Sequence, residues 1–544
     1  MAPSDMPGPD MFGTDLPGTD LPGAGVISGG MTGASVLIVG GGHNGLVAAT
    51  YLARAGLPVT VLEAADRFGG AVQSARVFDG VDVSLSRFSY LVSLLPQQIV
   101  DELGLDLELR SRTIASYTPT RTGGLLVERT PGDATRESFH ALTGGYEEWH
   151  NWQRLESFLE RFARAIAPTL TEPLPAEHQL RAAYGDDQLW DALTRHPIGN
   201  LIEATLADDL VRGVVLTDAL IGTFAPAHDT TLVQNRCFAY HVIGNATGEW
   251  KVPVGGMGRV ASELQRVAVE SGAVLRSGAR VMKIEPITGG GWEIELAGGE
   301  RLRSSHVLAG CAPYVLAGLR GRTAPKPQGS QTKINLVLRR LPRFASGIAP
   351  ETGFAGTLHL HQGYERLQRA YEEASAGRIP DPLPAEVYCH TVTDDSILGA
   401  APRFSGWHTL TMFALHTPAA LFAADPARTR EQVRQAALHS LQSVLAEPLE
   451  ECLARDQHGR PCVEVMGPGD VEAATGMPGG HIFHGDLSWP WRADDAAPPT
   501  PAERWGVATP DDGILLCGSG SVRGGAVSGL GGHNAAHALL EMIR

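Results

Sequence analysis

Residues 35–63 read SVLIVGGGHNGLVAATYLARAGLPVTVLE, and this stretch decides the fold. Its first five residues are an apolar, β-rich run that ends at glycines, which predicts a buried parallel strand. Residues 46–55 then show helical periodicity, and Gly56 closes them as a C-cap. Residues 59–62 form a second apolar run that ends at Glu63. The stretch is therefore a complete β-α-β unit, and it predicts an α/β fold.

The turn between the first strand and the helix has the pattern G-x-G-x-x-G. Gly40 permits the tight turn, Gly42 lets a pyrophosphate approach the backbone, and Gly45 lets the helix pack closely on the strand. The pyrophosphate would rest on the helix N-terminus, where free N–H groups favour an anion. Glu63 can accept both ribose hydroxyls. This unit predicts a Rossmann-type dinucleotide site, but FAD and NAD both remain open from it alone.

Arg67-Phe68-Gly69-Gly70 follows Glu63 at the distance where flavoproteins of the amine oxidase and carotenoid desaturase superfamily place R-x-G-G. With GGGHNGLVAATYLARAG and LEAADRFGGAV, the chain resembles the phytoene desaturase-related FAD oxidoreductases. It is most similar to their branch with carotene ketolases and pyridine nucleotide-disulfide oxidoreductase domain-containing protein 2-like proteins. Further matching motifs are SYLVSLL at 89–95, VPVGGMG at 252–258, GHIFHGDLS at 480–488, LLCG at 515–518 and GGAVSG at 524–529.

The resemblance implies a two-dinucleotide-binding-domain flavoprotein that holds FAD non-covalently. It also implies that Gly255–Gly258 opens a helix beside the flavin, and that a last helix from Asn534 points its N-terminus at the flavin. One departure is Ser519, which stands after Gly518 where many flavoproteins have an Asp. The expected FAD-binding residues are Gly40, Gly42, His43, Asn44, Gly45, Glu63, Arg67, Gly69, Gly70, Gly256, Met257, Val281, Gly518, Gly529 and Asn534.

Three residues are candidates for a role in catalysis. His43 stands at the start of the first helix, although a solvated loop histidine is an equally good interpretation. His484 and Asp486 lie in a segment that resembles a family signature of the substrate domain, and fixing the backbone is the alternative there. The sequence contains no HExxH and no evident Ser-His-Asp order, so we expect neither a metal nor hydrolysis.

The fold class expected is α/β, with a Rossmann-type FAD-binding domain and an inserted α+β substrate domain. Residues 1–33 are rich in Pro, Gly, Met and Asp, and we expect them to be a disordered tail. Strands of one small sheet are expected at 273–284, 291–296 and 301–308. The expected pieces are an FAD-binding domain at 34–110, 246–325 and 506–544, and a substrate domain at 111–245 and 326–505.

Composition excludes several classes of protein. The net charge of −16 over 544 residues argues against a nucleic-acid surface, which needs a basic footprint. The six cysteines form no C-x-x-C pair, which fits a reducing cytoplasm. The uncharged stretch 34–53 is interrupted by glycines, so we do not interpret it as a membrane span. We expect a cytoplasmic protein and leave a peripheral membrane contact open.

The expected function is that of an FAD-dependent dehydrogenase or desaturase. It would remove a hydride from an apolar substrate, isoprenoid or polycyclic, and pass the electrons to dioxygen or a quinone. An amine oxidase and a carotenoid-type isomerase or ketolase are alternatives. A non-catalytic isoprenoid-binding protein is a further alternative, but the complete glycine pattern disfavours it. The sequence leaves the substrate, the electron acceptor and the oligomeric state open.

Overall fold

A computed structural model of the chain describes residues 35–494 and 499–544. The tail predicted for residues 1–33 lies outside the described residues. In chain order the strands are β1 Val36–Val39, β2 Val59–Leu62, β3 Ser74–Ala75, β4 Leu85–Ser86, β5 Leu109–Arg110, β6 Ile114–Thr120, β7 Gly123–Glu128, β8 Val252–Pro253, β9 Val274–Arg276, β10 Val281–Pro286, β11 Trp292–Leu296, β12 Arg301–Ser304, β13 His306–Ala309, β14 Thr332–Leu338, β15 Thr357–Leu360, β16 Ala385–Tyr388, β17 His408–Ala414, β18 Val463–Met466 and β19 Ile514–Leu516.

The described residues also form helices between and after these strands. In the same order they are α1 His43–Arg54, α2 Gln97–Leu103, α3 Asp133–Thr143, α4 Glu147–Ile166, α5 Glu177–Tyr184, α6 Asp187–Thr194, α7 Ile198–Thr205, α8 Asp209–Thr217, α9 Val233–Ile243, α10 Met257–Glu270, α11 Pro313–Leu319, α12 Pro350–Gly353, α13 Tyr364–Ser375, α14 His390–Thr393, α15 Ala400–Phe404, α16 Pro426–Gln442, α17 Pro468–Thr475, α18 Pro501–Arg504 and α19 Leu530–Met542.

A five-stranded sheet in the order β19-β13-β1-β2-β9 has every neighbouring pair parallel. Its central strand β1 is wholly buried, as its unbroken apolar sequence predicts. Helix α1 packs against both α10 and α19, so it lies between elements from distant parts of the sequence. The parallel sheet with its covering helices is the Rossmann-type α/β layer that the β-α-β unit predicts. The boundaries between the two domains stay a prediction.

The second sheet, β10-β11-β12, is antiparallel. One prediction is wrong here, since residues 273–308 do not form one small sheet. Gly278, with φ of +65°, turns the chain between β9 and β10, and its N–H donates a hydrogen bond to the Ala65 carbonyl oxygen. Because of that turn, β9 and β13 belong to the parallel sheet, and only the strands between them form the antiparallel one.

A seven-stranded sheet in the order β18-β14-β17-β16-β15-β6-β7 forms the base of the other half of the protein. Its pairs are antiparallel except for β15 with β6. Strand β14 is buried along its whole length. Helices α3 to α9 lie between β7 and β8 in sequence, and Trp149 and Trp152 of α4 stack beside Phe139 of α3. This sheet and these helices are the mixed α+β part of the fold.

The last helix begins earlier than the sequence indicated. We predicted its start at Asn534, but α19 begins at Leu530, after Gly529 with φ of +72°. Gly531 and Gly532 lie inside this helix at positions where close contacts leave no space for a side chain: a Cβ on Gly532 would lie 1.9 Å from the Asn44 carbonyl oxygen. None of the described helices is long and apolar enough to cross a bilayer.

Candidate functional site

A cavity opens at the carboxyl ends of β1 and β2 and extends toward the seven-stranded sheet. Carboxyl ends of parallel strands meet at one edge, so this is where an open α/β sheet binds its ligand. Val281 and Arg280 line the same end of the cavity as Glu63. The predicted residues that line it are Gly40, Gly42, His43, Asn44, Gly45, Glu63, Gly70, Val281, His484 and Gly518.

The glycine turn is shaped for close approach of a ligand. Gly40 has φ of +102°, a conformation that favours glycine. A Cβ on Gly45 would lie 2.3 Å from the Gly40 carbonyl oxygen, so a side chain there would separate helix from strand. A Cβ on Gly42 would instead reach the open cavity, with Gly70 Cα at 4.0 Å as its nearest contact. The free space beside Gly42 is thus a cradle that a side chain would fill.

Two backbone amides hold the carboxylate of Glu63. Gly41 N–H donates to Oε2 at 2.7 Å, and Ala65 N–H donates to Oε1 at 2.8 Å. A carboxylate offers about four lone-pair sites, so two remain for ligand hydroxyls. Asn44, at the start of α1, also lines the cavity, and its buried Oδ1 has no hydrogen-bond partner. A buried polar atom without a partner on a cavity wall fits a bound polar ligand.

Several residues expected to bind FAD lie elsewhere. The Arg67 side chain is about half exposed (57 %) and pairs with Asp66. Gly69 supports the glycine turn, because its N–H donates to the Gly41 carbonyl at 2.8 Å and a Cβ would lie 2.8 Å from that of Ala261. The structure therefore gives Gly69 a packing role, and does not place Arg67 at the cavity.

The N-terminus of α10 is not directed into the cavity. The Met257 amide donates to Ser86 Oγ at 3.0 Å and the Gly258 amide donates to Ser74 Oγ at 2.8 Å. A Cβ on Gly256 would meet the same two hydroxyls. Because serine side chains already satisfy this helix end, Gly256 and Met257 do not line the site as the resemblance implied.

The last helix approaches the cavity through the residues before it. Ala526 and Val527 line the wall, whereas Gly529 packs on Val47. Asn534 is buried inside α19 and donates to the Leu170 carbonyl, so it does not line the cavity either. The physical reason is the earlier start of α19, which moves Asn534 into the second turn.

Two of the three candidate catalytic residues meet at the cavity. Burial lowers the pKa of both His43 and His484 to about 4, so both rings are neutral at pH 7. His43 Nε2 lies 3.1 Å from the Ala526 carbonyl, while the buried Nδ1 of His484 has no partner. Asp486 is about two-thirds exposed (68 %), lies 3.8 Å from His481, and is not part of the cavity wall.

Lys333 is a cavity residue that sequence analysis missed. It lies on β14 with 3 % of its surface exposed, and its Nζ donates to the Phe88 carbonyl at 2.6 Å. Nζ also lies 4.2 Å from the ring centre of Tyr90 and 5.4 Å from that of Phe413. Burial lowers the pKa of this amine well below its ordinary value. The available signal was a single lysine at the head of the apolar run KINLVL.

Comparison with known proteins agrees with this geometry. The chain matches the family described as flavin containing amine oxidoreductase over residues 45–462. An uncharacterized protein of Mycobacterium tuberculosis is 46 % identical, covering 93 % of this chain and 97 % of its own. The pyridine nucleotide-disulfide oxidoreductase domain-containing protein 2 of Rattus norvegicus is 28 % identical, covering 93 % of each chain.

A more distant sequence relative and a solved structure are also similar to this chain. The hydroxyneurosporene desaturase of Cereibacter sphaeroides is 25 % identical over 64 % of this chain and 70 % of its own. The solved structure of wild-type putrescine oxidase bound to putrescine superposes with a TM-score of 0.53 at 19 % identity, covering 94 % of this chain and 99 % of the oxidase. The fold, the glycine cradle and the Glu63 carboxylate all fit FAD. The chain belongs to the flavin containing amine oxidoreductase family, as an FAD-dependent oxidoreductase.

Proposed function

We propose that the protein removes a hydride from a carbon atom of an uncharged, apolar small molecule, isoprenoid or polycyclic in nature. Dioxygen or a quinone would then accept the electrons. The observation that carries this proposal is the chemistry of the cavity wall beyond the cofactor end. Its apolar members are Phe88, Leu91, Leu94, Ile221, Phe413, Val471, Met477, Ile482 and Phe483.

The charged residues of the cavity wall favour an uncharged substrate. Among the described residues that line the cavity, Glu63 is the one carboxylate, and it lies at the end where the β-α-β unit binds the cofactor. An ammonium group in the apolar part would therefore lack an anionic partner and would meet Lys333 instead. Burying an unpaired charge costs several kcal/mol, typically more than one amine contact returns, so a diamine is a poor fit.

A buried acid close to the cavity residues Tyr90 and His241 is already hydrogen-bonded to protein groups. Glu386, on β16, accepts hydrogen bonds from the Tyr388 hydroxyl and from Thr217 Oγ1. Burial raises its pKa to about 7, and it does not line the cavity. This carboxyl group is therefore engaged by protein donors, and one of them, Tyr388, packs against the cavity residue Tyr90.

The protein groups can accept the proton that a desaturation releases. When bound, FAD supplies the hydride acceptor. Loss of a hydride from one carbon and a proton from its neighbour leaves a double bond, and only the proton needs a protein base. Lys333 and His484 both line the cavity, and burial lowers the pKa of each, which favours their unprotonated, basic forms. Their apolar surroundings exclude water and hold the substrate by shape.

The proposal is tested by mixing the purified yellow protein anaerobically with three classes of compound. We expect isoprenoid or polycyclic hydrocarbons to bleach the flavin absorbance, at a rate that falls when the reacting carbon carries deuterium. Bleaching by monoamines or diamines alone would instead identify an amine oxidase. Product formation with flavin that stays oxidised, in protein active only after chemical reduction, would identify an isomerase or a reductive oxygenase.

A further inference from the structure

Outside the cofactor cavity, three side chains with metal-binding chemistry converge. They are Glu102 at the end of α2, and His533 and His537 one turn apart on α19. One ligand atom from each lies within 4.8 Å of the other two. We propose that these three residues bind a divalent metal ion of the Zn²⁺ class, which joins the last helix to α2.

The two histidines have lone pairs available for a metal. His533 is 1 % exposed, and its Nδ1 lies 2.8 Å from Asn534 Oδ1, which accepts only if Nδ1 carries the proton. That tautomer leaves the lone pair on Nε2. The Nε2 of His537 is buried and has no hydrogen-bond partner. A buried ring nitrogen without a partner, next to a carboxylate and a second imidazole, is explained by a ligand that the three share.

Glu102 is oriented as metal-binding carboxylates usually are. The Tyr51 hydroxyl donates to its Oε2 at 2.6 Å, and Gln98 Nε2 donates to its Oε1 at 2.8 Å. Hydrogen bonds of this kind fix a ligand and tune its basicity. The set is thus two imidazoles and one carboxylate, a combination of ligands that suits zinc.

Aromatic packing alone does not account for this arrangement. The Trp505 ring stacks on His537 with centroids 5.3 Å apart, and Tyr51 meets His533 edge-on at 5.2 Å. Those contacts explain why the rings are buried, but leave the His537 nitrogen unpaired. The guanidinium of Arg54, which lies on the Tyr51 side of the three residues, donates hydrogen bonds to the backbone carbonyl oxygens of residues 102 and 103.

A bound ion would stabilise the part of the fold that holds the cofactor. Helix α19 packs along α1, whose N-terminal turn lines the cavity. It begins beside Gly518, since a Cβ on Gly531 would lie 2.6 Å from the Gly518 carbonyl oxygen. An ion that binds only the folded chain raises its melting temperature by mass action. The proposal does not depend on which substrate the enzyme oxidises.

The test is Zn²⁺ binding to untagged, chelator-treated holoprotein, followed by competition with a chromophoric chelator and by thermal unfolding. We expect one Zn²⁺ per chain and a higher melting temperature with Zn²⁺. His537→Gln and Glu102→Gln should each weaken binding by about 10- to 100-fold. His439→Gln, an exposed histidine on another helix, should bind as the wild type does.

Tyr51→Phe keeps all three ligands and removes only the hydroxyl that orients Glu102, so it should weaken Zn²⁺ binding while the protein stays folded. If His537→Gln proves unstable, Zn²⁺ binding by Tyr51→Phe tests the proposal in its place. Two results would overturn the proposal: wild-type protein that binds no Zn²⁺ at about 100 µM, a concentration that exceeds the Kd of structural sites many times over, or equal binding by the wild type, Tyr51→Phe and Glu102→Gln.

Discussion

The carboxylate of Glu63 accepts a hydrogen bond of 2.7 Å from the backbone amide of Gly41. The residue that closes β2 thereby holds the glycine turn that follows β1. Sequence analysis assigned Glu63 only to ribose hydroxyls, whereas the structure shows that it also fixes the glycine turn that we expect to hold the pyrophosphate. One side chain would therefore contribute to cofactor binding in two ways.

Glu63→Ala should weaken FAD binding by about 1–3 kcal/mol, because ligand hydroxyls lose their acceptor and the Gly41 amide loses its partner. The measurement is the Kd for FAD of deflavinated protein, by fluorescence titration. Glu365→Ala removes a surface carboxylate that is 77 % exposed, and it should bind FAD normally. Equal affinities for the two variants would contradict this assignment of Glu63.

Gly42→Val should give folded protein without flavin. The protein itself has space for the side chain, since Gly70 Cα, at 4.0 Å, is the nearest atom to the position that a Cβ would take. The valine would instead occupy the cradle. Gly123→Val is the matched control, because it also has no close neighbour but lies on β7. Circular dichroism and the visible absorbance of bound flavin separate folding from flavin content. Full flavin in both variants would show that the cofactor lies elsewhere.

Local sequence predicted the parts of the site that depend on local structure. The apolar runs, the glycines with their turn, and Glu63 at the end of β2 all lie within about thirty residues, which is one β-α-β unit. Each is fixed by backbone geometry that neighbouring residues determine. Gly40, Gly42, Gly45 and Glu63 all line the cavity, and that they bind the cofactor stays a prediction.

The predictions that failed concern residues whose surroundings are formed by segments distant in the sequence. Sequence alone could not show that Ser74 and Ser86 satisfy the N-terminus of α10, because both hydroxyls come from another part of the chain. Lys333 was missed for the same reason, since its aromatic neighbours come from distant segments. Asp486 follows His484 closely in sequence, but it is exposed because the chain turns at His484, where φ is +65°.

Lys333→Met should slow substrate-dependent flavin reduction by about 10- to 1000-fold, the range for loss of a group that assists proton transfer. FAD content should persist, because Lys333 lines the apolar part of the cavity with Tyr90 and Phe413. Methionine has nearly the same length and fits the same apolar space. Rapid mixing measures the rate. Lys326→Met, which removes a surface ion pair with Glu472, is the control and should react normally.

Lys333→Met should also change the pH dependence of stability. The folded state lowers the pKa of this amine, so the unfolded chain binds a proton that the folded chain does not. Stability therefore falls as the pH drops below the pKa of the unfolded lysine, until the folded amine protonates as well. The methionine variant lacks this loss. A difference in unfolding free energy between the variant and the wild type that stays the same at every pH would contradict a lowered pKa of this amine.

His43 and His484 should make the protein sensitive to mild acid. Burial lowers the pKa of each to about 4, whereas an unfolded histidine titrates near 6.5. Between these two pKa values only the unfolded state gains protons. The free energy of unfolding therefore decreases as the pH decreases, by up to about 1.4 kcal/mol per pH unit for each histidine. The free energy of unfolding, measured with urea from pH 7 to pH 4.5, should decrease less steeply with decreasing pH in His484→Asn than in the wild type. An identical slope would mean that His484 is protonated in the folded protein.

The last prediction separates His484 from Asp486, which are only two residues apart. Asparagine tolerates the left-handed backbone at position 484, so His484→Asn should preserve the turn and the FAD while removing the neutral imidazole. We expect turnover to fall by about 10- to 1000-fold if the ring accepts a proton.

Asp486→Asn is the matched change beside it. The Asp486 side chain is largely exposed and lies 3.8 Å from His481, outside the cavity wall. Its loss should therefore leave turnover within about threefold of wild type, since surface changes away from a site alter free energies by only about 0.5 kcal/mol. The two variants are compared by turnover at fixed flavin content. A large loss in Asp486→Asn, with little in His484→Asn, would reverse the assignment, because the exposed carboxylate would then have to enter the cavity during the reaction.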